Sequence, residues 1–428
     1  MKILRLGDTG PQVQLLQLAL TRAGFDPGVI DGIFGNATRT ALILFQNSQS
    51  LSPDGIAGPQ THRALMPWYM GYVTHTVRRG DTFYRLAQRY GSTVRAIETA
   101  NPGTDAANLQ VGTALVIPLG FDVVPTNIDY CSQLINFCVR GIAARYPFVS
   151  VGEFGRSVMD RPLWRMTLGS GGKRVIYNAS HHANEWITTP VLLKFTEDLA
   201  KSYAFGRAIY GYQASDILSD TMLYIVPAVN PDGIDLVTGD LSSGTYYENA
   251  VRLSRNYPSI PFPSGWKANI SGVDLNLQYP AGWEQAREIK FAQGYTRPGP
   301  RDYVGTAALS APESRAMYDL TRRVDPSLTL AYHTQGRVIF WKYLDIEPPG
   351  ARTIAQRFSA ASGYAVEDTP YSSGFAGYKD WFILDYYRPG YTIEAGSGDN
   401  PLPISQFPQI YRDNLGILTL GAVLAPDE

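Results

Sequence analysis

Beyond about residue 126 the chain alternates between two hydrophobic patterns. Four runs are almost continuously apolar: RVIYNAS (174–180), TMLYIVPAVN (221–230), LTLAYHTQG (328–336) and GYTIEAG (390–396). They have strand length, and continuous apolar character suits a strand buried on both faces. Between and after them, TTPVLLKFTEDLAKSY (188–203), APESRAMYDLTRRV (311–324), ARTIAQRFSAAS (351–362) and QFPQIYRDNLGILTLGAVL (406–424) carry apolar positions at helical spacing. Strands separated by helices predict an α/β domain over 126–428 around a mostly buried sheet. In such domains ligands gather at the carboxyl ends of the strands.

The preceding residues read as two smaller modules. PQVQLLQLALTRAG (11–24) and TRTALILFQNSQ (38–49) have helical spacing, and DGIFGNAT (31–38) recurs as DGIAGPQT (54–61). Each copy is a glycine-containing turn running into a helix start, with Asn36 or Thr61 expected as the cap. This predicts a helical module over 1–68, followed by PWYMGY (67–72) as a connector. In 73–119 the order is strand HTV, a turn at Gly80-Asp81, a Thr82 cap, helices TFYRLAQRYG and TVRAIETAN, and strand ALVIP. That is a β-α-α-β unit.

Length and charge narrow the picture. With 428 residues, two or three domains are expected. A net charge of −1 gives no basic surplus for nucleic acid or an anionic membrane. No apolar run reaches the roughly 18 residues of a membrane span. MKILRLGDTG lacks the apolar core of a secretory leader, so the expectation is a chain that is cytoplasmic as made. Cys131 and Cys138 lie seven apart in a helical pattern, about 10 Å along the axis. That exceeds the roughly 7 Å reach of a disulfide, so both are expected as buried thiols.

The chemistry concentrates in SHHANEWITT (180–189), directly after an apolar strand. His182 and Glu185 form a His-x-x-Glu pair, a weak signal by spacing alone. His333 ends another apolar strand. Two histidines and a carboxylate are a common catalytic zinc set that leaves one position open. Glu394 stands in GYTIEAG, where an unpaired buried carboxylate is costly. A base facing a metal-activated water is one reason for it, and an arginine partner is another. His181, His62 and His75 are not expected to be ligands.

Together HHANEWITTP, AVNPDG (228–233), GVDLN (272–276), AYHTQG and YTIEAG resemble, in that order, the zinc metallocarboxypeptidase family. The resemblance covers nearly all of the α/β segment. It implies an α/β fold with a central mixed sheet, one zinc ion held by His182, Glu185 and His333, and Glu394 as the catalytic carboxylate. LRLGDTGPQVQLLQLAL, DGIFGNATRTALILFQ and DGIAGPQTHRAL resemble the peptidoglycan-binding domain of cell-wall hydrolases. Residues 75–118 resemble a LysM domain through Gly80-Asp81-Thr82, Leu86-Ala87, Tyr90-Gly91, Asn101 and LQVGTALVIP. This implies glycan binding at Gly80, Asp81, Thr82 and Asn108, Leu109 and Gln110. The alternative is that both modules are packing spacers.

The departures from the family pattern concern the substrate. The family grips a C-terminal carboxylate with an Asn-Arg pair, and here Asn276 is followed by Leu277. Leucine cannot supply the two-pronged grip. Where the family has an oxyanion-stabilising arginine, SGWKANISGVD places Lys267, which keeps the charge. Tyr371 in TPYSSGFAGYKDW is close to the position of a lid tyrosine, and Lys379 stands where the family lines the floor of its specificity pocket. A cation there favours a substrate side chain bearing a carboxylate, such as meso-diaminopimelate. With two wall-binding modules, the chain resembles the bacterial γ-D-glutamyl-L-diamino acid endopeptidases, a type associated with sporulation. That resemblance implies hydrolysis of the γ-D-glutamyl bond to diaminopimelate or lysine in wall stem peptides. The competing readings are a carboxypeptidase acting on α-linked peptides and a non-catalytic wall-binding protein. Expected partners are peptidoglycan glycan and stem peptide, with no nucleic acid and no membrane.

Overall fold

The echo between DGIFGNAT and DGIAGPQT is built on two buried glutamines. In the computed structural model, which describes residues 1–427, Gln17 Nε2 donates to Asp31 Oδ1, Ile33 O and Thr38 Oγ1, and Gly32 N–H donates to Gln17 Oε1. Gln46 repeats the scheme with Asp54 Oδ1, Ile56 O, Thr61 Oγ1 and Gly55 N–H. The threonines therefore serve as acceptors for glutamine. The expected caps Asn36 and Thr61 do not cap: the helices Asn36–Ser48 and Pro59–Met70 start from Gly35 and Gly58 without a side-chain cap. With the helix Pro11–Arg22 they enclose Leu16, Leu20, Leu42, Phe45 and Leu65, all fully buried.

The chain divides into two units, residues 1–150 and residues from 151 onward. The first unit continues with a two-stranded antiparallel sheet, β1 (Tyr72–Thr76) and β2 (Ala114–Pro118). The helices Phe83–Tyr90 and Val94–Ala100 pack on it through Phe83, Leu86, Ile97, Leu115 and Ile117. Thr82 and Thr93 cap them through their side chains, as the sequence predicts for Thr82. A helix Ser132–Arg145 ends the unit. Cys131 and Cys138 are buried thiols outside any disulfide, as expected from their spacing.

The second unit is built on one mixed sheet. Its strands are β3 (Ser150–Arg156), β4 (Pro162–Leu168), β5 (Lys173–Ala179), β8 (Thr221–Val226), β9 (Leu328–His333), β10 (Val338–Phe340), β11 (Ala365–Glu367) and β12 (Gly390–Glu394). A separate hairpin holds β6 (Ala208–Ile209) and β7 (Tyr212–Gln213). The sheet order is β11-β10-β12-β9-β5-β8-β4-β3. The central β12, β9, β5 and β8 are mutually parallel; β10 is antiparallel to β12 and parallel to β11, and β4 is antiparallel to β8. Every residue of β9 is buried, which explains its continuous apolar run.

Successive side chains on β5 point to opposite faces. Ile176 joins a core with Met317, Leu320, Tyr378 and Trp381, from the helices Pro312–Val324 and Tyr378–Tyr386. Tyr177 points the other way and donates through Oη to Leu418 O in the helix Phe407–Val423. Helices therefore cover both faces, and the carboxyl ends of the parallel strands are left to loops.

Candidate metal centre and active site

Strand register places the first groups. In the parallel β9–β12 pair, His333 lies opposite Glu394, each the last residue of its strand. On the other side, Ala179 at the end of β5 pairs with Tyr332, so His181 and His182 follow just past the sheet edge. Ser180 turns the chain there at φ 54°. Its Oγ lies 2.9 Å from both Thr188 Oγ1 and Thr189 Oγ1, at the start of the helix Thr188–Ala204. The short turn Ala183–Glu185 then brings Glu185 back beside His182.

AVNPDG holds this loop. Asn230 Nδ2 donates to His181 O at 3.2 Å and to Ala268 O at 3.0 Å, and Asn230 Oδ1 accepts Gly233 N–H. One asparagine thus ties the histidine loop to the segment carrying Lys267. A Cβ at Gly233 would meet Ala183 Cβ at 2.6 Å and Asn230 Oδ1 at 2.7 Å, so only glycine fits.

The donor atoms converge. His182 Nδ1 lies 2.9 Å from Glu185 Oε1, His333 Nδ1 lies 2.8 Å from Glu185 Oε2, and the two Nδ1 atoms are 3.2 Å apart. His182 Nε2 lies 3.0 Å from Asp274 Oδ1. A carboxylate on Nε2 holds that nitrogen as the donor and turns the Nδ1 lone pair inward. The result is two imidazole nitrogens and a carboxylate in one small buried space, with His333 Nε2 left without a partner. This donor set fits a single zinc ion. Asp274, which orients the first histidine, was not singled out from the sequence. It lies within GVDLN, so the motif carried the signal.

Electrostatics follow from burial and crowding. Burial alone would lower the His182 pKa, but Glu185 and Asp274 outweigh it and hold it up at about 9. Glu185 sits well below the usual carboxylate range: burial opposes this, and His182, Lys267 and His333 overcome it. Burial depresses His333 below the usual histidine value, although Glu185 pulls the other way. Burial, then the Glu185 charge, push Glu394 up to about 8, against Lys267 and His182. The Glu394 carboxyl makes no hydrogen bond or ion pair among the described residues. It is a half-buried acid facing a cavity of about 800 Å³ that Glu185, His333 and Lys267 also line.

The other expected residues fall on two walls of that cavity. On one, Lys267 Nζ lies 3.5 Å from Glu185 Oε1. On the other, Asn276 Oδ1 accepts Tyr378 N–H at 3.0 Å, and Leu277 follows it. Lys379 lies beneath, only 4% exposed. Its ammonium lies 2.6 Å from Asp380 Oδ1 and donates to Lys342 O and Thr369 Oγ1. The floor therefore holds the predicted cation as half of a buried ion pair with Asp380. Tyr371 is 65% exposed with its ring against Phe375, while its neighbours Thr369, Pro370 and Ser373 line the cavity. His181 is fully buried, with Nε2 2.8 Å from Tyr279 Oη, so it supports the site from behind.

In the first unit, the expected glycan residues stand on two exposed loops leaving one end of the β1–β2 sheet. Gly112 N–H donates to Val77 O, and Val77 N–H donates to Thr113 O. Gly80, Thr82, Asn108 and Gln110 are exposed, and Leu109 packs against the module core. Asp81 is committed internally: Oδ2 lies 2.7 Å from His75 Nε2 and accepts Arg78 N–H. His62 is likewise structural, bonded to Tyr69 Oη and Lys2 O.

Comparison with known proteins extends this geometry. The zinc carboxypeptidase family pattern matches residues 135–416, that of a peptidoglycan binding domain matches 9–65, and that of a LysM domain matches 75–118. The chain is 45% identical over 298 residues to gamma-D-glutamyl-L-diamino acid endopeptidase 1 of Lysinibacillus sphaericus, covering 70% of this chain and 73% of that protein. It is 41% identical over 292 residues to the uncharacterized protein YqgT of Bacillus subtilis, covering 68% and 76%. Carboxypeptidase A from Helicoverpa armigera shares the fold, with a TM-score of 0.55 at 18% identity over 81% of this chain and 80% of that one. The chain belongs to the zinc carboxypeptidase family and is a zinc metallopeptidase with N-terminal peptidoglycan-binding and LysM domains.

Proposed function

We propose that the protein hydrolyses the γ-D-glutamyl bond to meso-diaminopimelate, or to lysine, in peptidoglycan stem peptides. The observation that carries this reading is the replacement of the carboxylate-gripping arginine by Leu277, in a chain 45% identical to an enzyme named for that bond. A buried leucine offers no donor to a terminal carboxylate, so the site does not depend on a free C-terminus.

In this reading His182, Glu185 and His333 hold one zinc ion. When bound, zinc supplies Lewis acidity to the scissile carbonyl and acidifies water. Glu394 takes a proton from the attacking water as its oxygen bonds to the carbonyl carbon. It returns that proton to the leaving amine as the C–N bond breaks. The Lys267 ammonium stabilises the developing oxyanion. Asp274 keeps His182 in the right tautomer and orientation.

The leaving residue lies on the wall of Asn276 and Lys379, and Tyr371 stands beside the mouth. The end of a diaminopimelate side chain carries both an ammonium and a carboxylate. The Lys379–Asp380 pair offers one charge of each sign to it. The exposed loops at Gly80–Thr82 and Asn108–Gln110 bind the glycan and bring the peptidase to the wall. The deciding experiment is incubation of matched γ-linked and α-linked peptides with the zinc-loaded protein. Cleavage confined to α-linked peptides would make it an ordinary carboxypeptidase.

A further inference from the structure

We propose that Arg301 binds the free α-carboxylate of the γ-linked D-glutamyl residue, and so makes the site selective for that linkage. The inference rests on the substrate reading above and adds a residue that reads the acyl side of the bond. In a γ-linked glutamyl residue the chain runs through the side-chain carboxyl. The α-carboxylate is therefore left free at the far end of the acyl group, whereas an α-linked glutamyl residue places its free carboxylate at the tip of the side chain and other α-linked residues bring none to that position.

Arg301 lines the same cavity as Glu185, His333 and Lys267. Its Nε lies 2.6 Å from Asp302 Oδ2. Asp302 is itself fixed: Oδ1 lies 2.7 Å from Lys290 Nζ, and its N–H donates to Asp274 Oδ2 at 3.2 Å. Asp274 is the carboxylate that orients His182, so the guanidinium is linked to His182 through two intervening residues, Asp302 and Asp274. The two Nη groups make no hydrogen bond among the described residues. Arginine does not lose its charge, and its planar fork matches a carboxylate. Arg301 and Lys290 share one carboxylate, Asp302, which leaves one positive charge over.

The position of this fork assigns it to the acyl side. Lys267 N–H and Ala268 N–H both donate to Pro300 O, which places the start of Arg301 beside the oxyanion lysine. Asn276 is tied instead to Tyr378, next to Lys379, on the wall that takes the leaving diamino acid. The leaving wall carries Leu277 where the family pattern has an arginine fork, and the acyl wall carries the fork of Arg301.

The test compares L-Ala-γ-D-Glu-meso-diaminopimelate with the same peptide whose glutamyl α-carboxylate is a carboxamide. The wild-type protein is expected to prefer the free acid by about 10–100-fold in kcat/KM, the range of a charge-assisted contact. In Arg301→Gln that ratio falls to near one, and Arg301→Lys keeps part of it. Binding of the two intact peptides to Glu394→Gln, with and without Arg301→Gln, should give the same pattern in Kd without turnover. A wild-type ratio near one overturns the proposal. So does an Arg301→Gln protein with equal zinc content that loses activity on both peptides and keeps their ratio. If the zinc-loaded wild type cleaves neither peptide but cleaves α-linked ones, the substrate reading itself fails, and the Arg301 assignment falls with it.

Discussion

At the scale of single residues, the site is a problem of placing three carboxyls without three negative charges in one small volume. Glu185 is ionised by its histidines and Lys267, Asp274 by His182, and Glu394 is left with its pKa pushed up by burial and by Glu185. That division leaves Glu394 the carboxyl that most readily takes up a proton, as the proposed base requires. Replacing Glu394 with Gln should lower kcat by roughly 10²–10⁴-fold, with zinc content, measured by atomic absorption, still near one ion per chain. Loss of zinc in that variant would make Glu394 a ligand and not the base. Glu185, His182 and His333 were legible in the sequence because each lies at the end of, or just past, a strand with a recognisable pattern. Arg301 was not, because its importance depends on Asp302, Lys290 and Asp274 meeting across loops distant in sequence.

A second residue-scale prediction concerns Glu313. It is fully buried, accepts Val158 N–H and Asn269 Nδ2, and is pushed by burial from 4.5 to about 7. A carboxyl with a raised folded-state pKa favours folding below its unfolded value and loses that contribution as pH rises through the folded one. Denaturant unfolding should therefore show the wild type losing stability relative to Glu313→Gln between about pH 4.5 and 7. The slope is about 1.4 kcal/mol per unit. A pH-independent difference between the two proteins would contradict the assignment.

At the scale of elements, the buried central strands announced themselves and the edges did not. β5, β8, β9 and β12 are continuous apolar runs. β3 has an intermediate-to-exposed pattern, and β10 and β11 have three residues each. A half-solvated or very short strand leaves no periodic trace long enough to read. The helical module shows the opposite error. Its repeat was visible, but the caps were assigned to the residues that usually cap, while the organising residues are two glutamines inside helices. Gln46→Ala would orphan Gly55 N–H and remove the brace on Asp54, Ile56 and Thr61. It should lower the module's thermal stability by about 1–3 kcal/mol, and Gln17→Ala should do the same in the other copy. An unchanged melting profile would show that the turns hold themselves.

At the scale of the whole molecule, the chain joins peptidoglycan-binding and LysM domains to a peptidase domain. The strand order of the central sheet could not be read from pattern, because parallel neighbours are distant in sequence. It is the register of β9 against β12, with β5 alongside, that brings together His182, Glu185, His333 and Glu394, the proposed ligands and base. The modules predict that the full chain co-sediments with insoluble peptidoglycan at physiological salt, and that soluble N-acetylglucosamine oligomers compete. Protein remaining wholly in the supernatant would assign the modules a packing role.

The most direct test of the central claim is mass spectrometry of L-Ala-γ-D-Glu-meso-diaminopimelate after incubation with the full chain, with and without a chelator. The account predicts free diaminopimelate and L-Ala-D-Glu, abolished by the chelator and restored by added zinc. An intact tripeptide, from protein shown to contain zinc and to cleave an α-linked peptide, would contradict it.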